Sequence, residues 1–223
     1  LFPYTTLFRS DPLVMFYNRD ILEQAGIVTP PSTWKAFGES VPTLTKRKPD
    51  LTITQSGAAL GAFGNISHAK DIIALLFLEN GNQFVLPGNP AVPRFGGGGL
   101  TSGDPTLGPQ IMKFYMSFSD PVKDVYSWNA GQPLDRTLFA QSSLAYYFGT
   151  SSDLPALRKQ NPNLNFDVAF PPTSDNGAQV TVGRMYGLAI PKAAPNAQLS
   201  YAAATLLSSA ESEKALTEKA RSE

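Results

Sequence analysis

The apolar residues of this chain follow two spacings, and each spacing predicts a type of secondary structure. Residues 14–17 form a compact apolar run, which fits a buried strand. Asn18 and Asp20 can cap a short helix after that strand, and Gly26 can end it. After a Pro-Pro pair, Ser32 or Thr33 can cap a second helix. The apolar residues of this second helix recur at helical spacing, at Trp34, Phe37, Val41 and Leu44.

The rest of the chain contains further strand and helix patterns. Strands are predicted at residues 51–54, 58–63, 144–149, 166–170 and 180–190. Helices are predicted at residues 72–78, 104–118, 134–139, 195–209 and 211–220, and a short one is predicted after residues 150–153. Asn65 or Ser67 is the expected cap of the first of these helices. Residues 84–101 are rich in Pro and Gly and indicate a flexible surface loop, because the glycine run at 96–99 lacks the Gly-Lys-Ser/Thr of a phosphate-binding loop.

The segment from the first strand into the second helix carries a recognisable series of residues. In order, it reads Tyr17-Asn18-Arg19-Asp20-Ile21, Ala25-Gly26-Ile27, Pro30-Pro31 and Thr33-Trp34. This series resembles family 1 extracellular solute-binding proteins, the maltodextrin-binding type of ABC importer receptor, in which the same places hold Tyr-Asn-Lys-Asp-Leu, Ala-Gly-Ile, Pro-Pro and Thr-Trp. The alternative is an ordinary strand-helix-helix unit of any α/β protein, but the number of matches in fixed order favours the family.

Two later segments resemble the same family. Residues 139–145 match its Phe-x-x-Gly-x-x-Ala-Met pattern, with Ser142 in place of Gly and Tyr146 in place of Met. Residues 183–192 resemble the strand by which the family's chain crosses back between lobes. The resemblance therefore extends over most of residues 13–220.

The resemblance implies an α/β fold of the class II periplasmic-binding-protein type. Residues 11–186 would form most of the carboxy-terminal lobe, starting at the hinge strand, as a mixed sheet flanked by helices. Residues 187–220 would cross back and contribute helices to the amino-terminal lobe. Because the sheet of that lobe would be missing, we expect an apolar surface to be exposed around residues 180–207.

The two ends of the sequence do not fit this pattern. Residues 1–10 read as the plain translation of a common sequencing-adapter tail, and residues 221–223 translate the start of the matching adapter in reverse. We therefore expect both ends to be non-native tails around an internal fragment of a protein.

The composition narrows the partners and the chemistry that are open to this chain. Among its 223 residues, 18 Lys and Arg balance 18 Asp and Glu, so no net charge favours nucleic acid or acidic lipid. The sequence has no cysteine, which removes disulfides, thiol catalysis and the usual zinc sites. No apolar run reaches the length of a membrane span.

The sequence motifs of common hydrolases and metalloproteases are absent. Neither Gly-x-Ser-x-Gly nor His-Glu-x-x-His occurs, and His68 is the one imidazole available for a catalytic triad. Its neighbours Ser67 and Asp71 are too local in sequence to complete the usual triad. A capping or surface role is therefore expected for His68 in preference to the role of a catalytic base. A carboxylate pair for glycoside hydrolysis is recognised only by its separation in space, so a glycoside-processing enzyme is kept as the less favoured alternative.

Several loops carry residues that suit a sugar, namely aromatic faces for its rings and amides, hydroxyls and Arg for its hydroxyl groups. In the family, the equivalents of residues 65–68, 148–152 and 184–186 face the cleft between the lobes. We expect Trp128 and Tyr186 to stack on the ligand. The expected hydrogen-bonding residues are Asn65, His68, Ser151 and Arg184. A structural role is the alternative for each, since Trp128 could lie in the core and Arg184 could form an ion pair between lobes.

The family implies a receptor that captures a solute between two lobes by hinge closure and presents it to an ABC permease in the membrane. A sugar or oligosaccharide is the expected solute, and glycerol phosphate or a polyamine is the alternative. The resemblance further implies an extracytoplasmic protein, either periplasmic or lipid-anchored at the outer face of the cell membrane. It would be a monomer when full length, with no cofactor, no enzymatic activity and no nucleic-acid partner.

Overall fold

The computed structural model describes residues 5–82, 84–86, 92–93, 106–174, 179–212 and 214. The chain divides into two compact units, a larger one of Leu13–Val182 and a smaller one of Leu1–Pro12 with Gly183–Glu223. The lobe boundaries expected from the sequence, at residues 11 and 187, concern a whole receptor and stay a prediction.

Strands and helices are interspersed along the described part of the chain. The strands are β1 Thr5–Asn18, β2 Lys46–Arg47, β3 Ile53–Ala58, β4 Val85–Leu86, β5 Val92–Pro93, β6 Leu144–Thr150, β7 Phe166–Ala169 and β8 Gly183–Ala189. The helices are α1 Arg19–Gln24, α2 Trp34–Leu44, α3 Ala69–Glu79, α4 Leu107–Ser117, α5 Asp135–Ala140, α6 Asp153–Gln160 and α7 Ala197–Leu207.

The larger unit contains a mixed sheet with the strand order β2-β3-β6-β1-β7. Strand β3 runs parallel to β6, with Ser56 opposite Leu144 and Ala58 opposite Tyr146. Strand β1 runs antiparallel to both β6 and β7. All residues of β6 are buried, because this strand is paired on both sides in the middle of the sheet.

Helix α2 packs an aromatic face into the core of the larger unit. Each of its predicted apolar residues is buried, as the helical spacing requires. Trp34 stacks on Phe148 with ring centroids 5.7 Å apart, and Phe37 lies 5.0 Å from Tyr146. This packing confirms the predicted face and fixes α2 against the central strand β6.

The predicted boundaries of the first two helices are confirmed by their hydrogen bonds. The Asn18 side chain accepts from the backbone N–H of Ile21 at 3.1 Å and caps α1. Gly26 follows α1 with φ +74°, a left-handed conformation that glycine adopts without strain. Of the two candidate caps for α2, Thr33 makes the bond, accepting from the N–H of Ala36 at 3.2 Å.

The two strand predictions after α2 and the cap predicted for α3 are wrong in detail. The strands expected at residues 51–54 and 58–63 are the single strand β3, because the chain leaves the sheet after Ala58 and turns at Gly61 with φ +91°. Helix α3 has His68 at its N-cap position without a side-chain capping bond, so neither Asn65 nor Ser67 caps it. Most of the predicted loop at 84–101, with its glycine run, and the start of α4 at 104–105 lie outside the described residues.

The smaller unit pairs the first part of β1 with β8. The two strands are antiparallel, with Asp11 opposite Arg184. Helix α7 is capped by Asn196, whose side chain accepts from the N–H of Leu199 at 3.0 Å. Residues 5–10 belong to β1, and this backbone pairing does not test their expected non-native origin. The second helix expected in this region, at 211–220, lies mostly outside the described residues.

Apolar side chains are exposed on the smaller unit, as expected from the sequence. The large exposed ones on β8 and α7 are Met185, Tyr186, Leu199, Tyr201, Leu206 and Leu207. Within the described part of this unit, Ile190 and Ala204 are the buried hydrophobic residues. The unit therefore buries little of its apolar surface by itself.

Candidate functional site

The carboxyl ends of β3 and β6 lie at the same edge of the sheet, because these neighbouring strands are parallel. Residues 59–68 lead from β3 into α3, and residues 151–152 lead from β6 into α6. Loops and helix amino ends therefore converge at this edge, which is where open α/β sheets place their ligands. Side chains from both connections meet there with the start of α5.

Asp153, at the start of α6, is the centre of a polar cluster at this edge. Its Oδ2 accepts from the Tyr147 hydroxyl at 2.9 Å and from the Thr150 N–H at 3.0 Å. His68 Nε2 lies 3.3 Å from the same oxygen, and Arg136 Nη1 lies 3.4 Å from Oδ1. Burial alone would raise the pKa of Asp153, but the hydrogen bonds from His68, Tyr147 and Thr150 outweigh it and hold the pKa below its ordinary value.

His68 connects the amino ends of α3 and α6. Its Nδ1 lies 3.2 Å from Asp71 Oδ2, one turn further along α3, and its other ring nitrogen faces Asp153. The hydrogen bond with Asp153 is the main cause of a raised pKa for His68, and burial opposes it. His68 thus faces two carboxylates within the cluster, and its side chain makes no capping hydrogen bond to α3.

Asp135, the first residue of α5, ties the loop before α3 into the same cluster. Its carboxylate accepts from the Ser67 N–H at 2.9 Å and from the Ser67 hydroxyl at 2.6 Å. Its own N–H donates to the backbone carbonyl of Asn65 at 3.1 Å. The side chain is 1% exposed, and this burial raises the pKa of Asp135 although the Ser67 hydrogen bonds lower it.

Trp128 is completely buried, with an exposure of 0%. Its indole N–H donates to Asn65 Oδ1 at 3.0 Å. The Asn65 amide in turn donates to the carbonyls of Asn129 and Gln132, at 2.9 and 3.0 Å. The stacking role expected for Trp128 is therefore corrected, because its ring offers no face to a ligand. Asn65 thus ties the loop before α3 to the segment from residue 128 to the start of α5.

Ser151 is exposed and stands between the end of β6 and Asp153. The turn that presents it requires Gly149, because a Cβ there would lie 2.5 Å from Tyr147 Cε1 and 2.7 Å from Asp153 Oδ2. The missing side chain of Gly149 leaves room for the Asp153 carboxylate behind the Ser151 turn.

Four of the six predicted site residues belong to the larger unit and two belong to the smaller unit. Asn65, Trp128, His68 and Ser151 lie around the sheet edge of the larger unit. Arg184 and Tyr186 lie at exposed positions of β8 in the smaller unit, where the Tyr186 side chain is 52% exposed.

Sequence reasoning missed two ionisable members of the cluster, Asp135 and Arg136, and assigned Asp153 to a helix-capping segment only. For Asp153 the available signal was position, since an ionisable residue at the start of a helix that follows a parallel strand lies at the ligand-binding edge of the sheet. Asp135 and Arg136 lacked that signal, because α5 follows α4 along the chain instead of a strand.

Two other properties bear on the site. Among the described residues, no group of three or more His, Asp or Glu side chains is arranged to hold a metal ion. A cavity of about 460 Å³ lies elsewhere in the larger unit, beside the prolines that precede α2 and the exposed Phe170 ring. It contains none of the predicted site residues, so the polar cluster is the stronger candidate.

A family model described as bacterial extracellular solute-binding protein matches residues 3–222. No curated protein matches the chain. No helix among the described residues is long and apolar enough to cross a membrane.

Solved structures with the same fold are solute-binding proteins. One is an ABC transporter solute-binding protein from Thermotoga lettingae TMO bound with α-D-tagatose, which is 22% identical with a TM-score of 0.67 over 97% of this chain and 52% of that one. Another is a maltose/maltodextrin-binding domain from Bdellovibrio bacteriovorus bound to maltotriose, at 15% identity and a TM-score of 0.62, covering 92% and 50%. A third, from Agrobacterium vitis S4 with bound D-mannitol, is 17% identical with a TM-score of 0.60, covering 98% and 50%. These matches confirm the predicted mixed α/β fold, and the chain spans about half the length of each.

Proposed function

Because the chain belongs to the bacterial extracellular solute-binding protein family, we propose that it is part of a receptor that captures a small solute for an ABC importer. The convergence of residues 65–68 and 150–153 at the carboxyl edge of parallel strands carries this proposal. The family is one of solute binding, in agreement with the expectation of a receptor rather than an enzyme.

The proposed solute is a sugar or another polyhydroxylated molecule. The exposed or partly exposed groups at the sheet edge are the hydroxyls of Ser67 and Ser151, the His68 ring and the Arg136 guanidinium. Donors and acceptors of this kind match hydroxyl groups, each of which can donate and accept. The similar structures from T. lettingae and A. vitis hold tagatose and mannitol, which supports the same chemical class.

A polyamine is the second candidate, and the charges of the cluster favour it over glycerol phosphate. Three carboxylates, those of Asp71, Asp135 and Asp153, face the two cationic groups of His68 and Arg136. Excess negative charge attracts an ammonium group and repels a phosphate ester.

Within this proposal, Ser151 and His68 contact the solute from the larger unit, while Asn65 positions them. Contact by Arg184 and Tyr186 stays part of the proposal and rests on the family resemblance and on their exposure on β8. The partner of the whole receptor would be an ABC permease. Its place would be extracytoplasmic, either in the periplasm or attached by a lipid anchor.

A titration calorimetry screen tests the proposal. The solutes are tagatose, mannobiose, maltotriose and mannitol, with spermidine and glycerol 3-phosphate as the competing classes. Binding of one sugar, with a matching rise of the melting temperature by mass action, is the expected result. Ser151→Ala should weaken that binding, whereas Thr43→Ala, at an exposed position of α2, should not. Binding of spermidine alone would identify the solute as a polyamine instead of a sugar. Binding of no solute would overturn the proposal.

A further inference from the structure

Both ring nitrogens of His68 face carboxylate oxygens. Nδ1 lies 3.2 Å from Asp71 Oδ2, and Nε2 lies 3.3 Å from Asp153 Oδ2. A neutral imidazole has one N–H donor and one lone pair, whereas an ionised carboxylate only accepts. In either neutral tautomer, one ring nitrogen would therefore point a lone pair at a carboxylate. The imidazolium alone donates to both partners.

Most of the other charged and titratable groups around this ring are acidic, which also favours an imidazolium. They are Asp71 on α3, Asp153 on α6, Asp135 and Arg136 on α5, and Tyr147 on β6. Arg136 is the one competing cation among them, and its side chain is 43% exposed. The directions of the pKa shifts agree, since the pKa of His68 is raised and that of Asp153 is lowered. The ion pair thus joins the start of α3, at His68, to the start of α6, where Asp153 supplies the carboxylate.

Resting on the proposed function, we propose that the solute binds to the form of the site in which His68 is an imidazolium held in position by Asp153. In that form the ring links residues 65–68 to residues 150–153 and thereby fixes the positions of the two loops at the sheet edge. Asp153 is a positioning residue, because it acts through His68 and through the Thr150 N–H rather than by touching the solute.

Loss of the proton breaks this connection. One of the two contacts then places a lone pair against a carboxylate, so the ring turns away and the two loops lose their link. Solute affinity falls as pH rises through the pKa of His68, by up to about tenfold for each pH unit, which is the limit for one coupled proton. By reciprocity, bound solute raises the pKa of His68.

The sequence allows a direct test, because His68 is its single histidine. Long-range ¹H–¹⁵N spectra of the whole chain therefore report on one imidazole during a pH titration. We expect the wild-type ring to titrate above the ordinary value of 6.5. In Asp153→Asn the pKa should fall, and in Asp71→Asn it should fall less. A wild-type pKa at or below 6.5, or an equal loss in the two variants, would overturn the positioning role of Asp153.

Two further variants keep this test decisive if Asp153→Asn does not fold. Arg136→Gln removes the competing cation from a partly exposed side chain, so it should raise the pKa of His68. Asp153→Glu keeps the charge and should retain part of the raised pKa. A lower pKa in Arg136→Gln would contradict the proposed ion pair.

The solute arm uses tagatose, mannobiose and maltotriose on the same labelled chain. Chemical-shift changes elsewhere in the chain report binding, and the His68 titration at saturation reports the coupling. An upward pKa shift on binding supports the proposal, whereas binding without any shift overturns the coupling. If none of these sugars binds, the solute role fails together with the proposed function, while the titration of the free chain still decides whether Asp153 holds the imidazolium.

Discussion

Trp34 donates its indole N–H to Glu79 Oε2 at 2.6 Å and thereby joins the start of α2 to the end of α3. The other carboxylate oxygen of Glu79 is buried and has no hydrogen-bond partner in the described part of the chain. Burial raises the pKa of Glu79 from 4.5 to about 7, although the Trp34 hydrogen bond lowers it. A buried charge that is only half satisfied costs free energy, and protonation removes that cost.

Replacing Glu79 by Gln should stabilise the protein above neutral pH. The folded-state pKa is raised, so between pH 4.5 and about 7 the folded chain holds a proton that the unfolded chain has lost. The stability that this proton confers is complete below pH 4.5 and is lost as pH rises through 7. At about pH 8 we expect Glu79→Gln to exceed the wild type by on the order of 1–2 kcal/mol in free energy of unfolding, after allowance for solvent screening. Urea unfolding at several pH values measures this.

The matched control is Glu39→Gln, which removes the same charge from an exposed position on α2. It should change the free energy of unfolding little at any pH. An equal gain in both variants would attribute the effect to net charge instead of to the burial of Glu79.

Ser142→Gly should also stabilise the chain. Ser142 follows α5 with φ +55°, and its N–H donates to the Phe139 carbonyl at 3.0 Å. The next N–H, that of Ser143, donates to the Leu138 carbonyl at 3.1 Å, which completes a Schellman C-cap. A left-handed residue costs about 1 kcal/mol when it is not glycine. We therefore expect a gain of about 0.5–1 kcal/mol by thermal or urea unfolding.

Ser143→Gly is the control for that substitution, because Ser143 is not among the described residues with positive φ. It should lose stability through the added freedom of the unfolded chain. A gain in both variants, or in neither, would contradict the C-cap explanation. The result also bears on the sequence resemblance, since the family has Gly at the place of Ser142.

Local features of this fold could be predicted from sequence because they depend on near neighbours. The buried face of α2 follows from a spacing of three and four residues, and the caps at Asn18 and Thr33 bond three residues ahead. The contribution of Asp135 to the polar cluster could not be predicted, because its partner Ser67 lies 68 residues away in sequence. Trp128 illustrates the limit, since its partner Asn65 lies 63 residues away and decides between a buried and an exposed ring.

Gly149→Ala should disturb the polar cluster. The added Cβ would lie 2.5 Å from the Tyr147 ring and 2.7 Å from Asp153 Oδ2, so one of these side chains must move. Overpacking of this kind costs about 1–3 kcal/mol. Gly64→Ala is the matched control, because a Cβ there meets nothing within 4 Å and should change stability by no more than about 0.5 kcal/mol. Equal stabilities of the two variants by urea unfolding would show that a side chain at position 149 is tolerated beside Tyr147 and Asp153.

The exposed apolar residues of α7 should make the chain associate with itself. Leu199 and Leu206 are 67% and 68% exposed, and most of the other residues of this helix are also apolar. Replacing them together by Lys and Glu should weaken association at least about tenfold, because burying one leucine contributes about 1.5–3 kcal/mol. Light scattering after size-exclusion chromatography, over a range of concentrations, measures the change. Gln198→Lys, at an adjacent exposed polar position, should leave association as it is, and a monomeric wild type at all concentrations would contradict the role of this apolar surface.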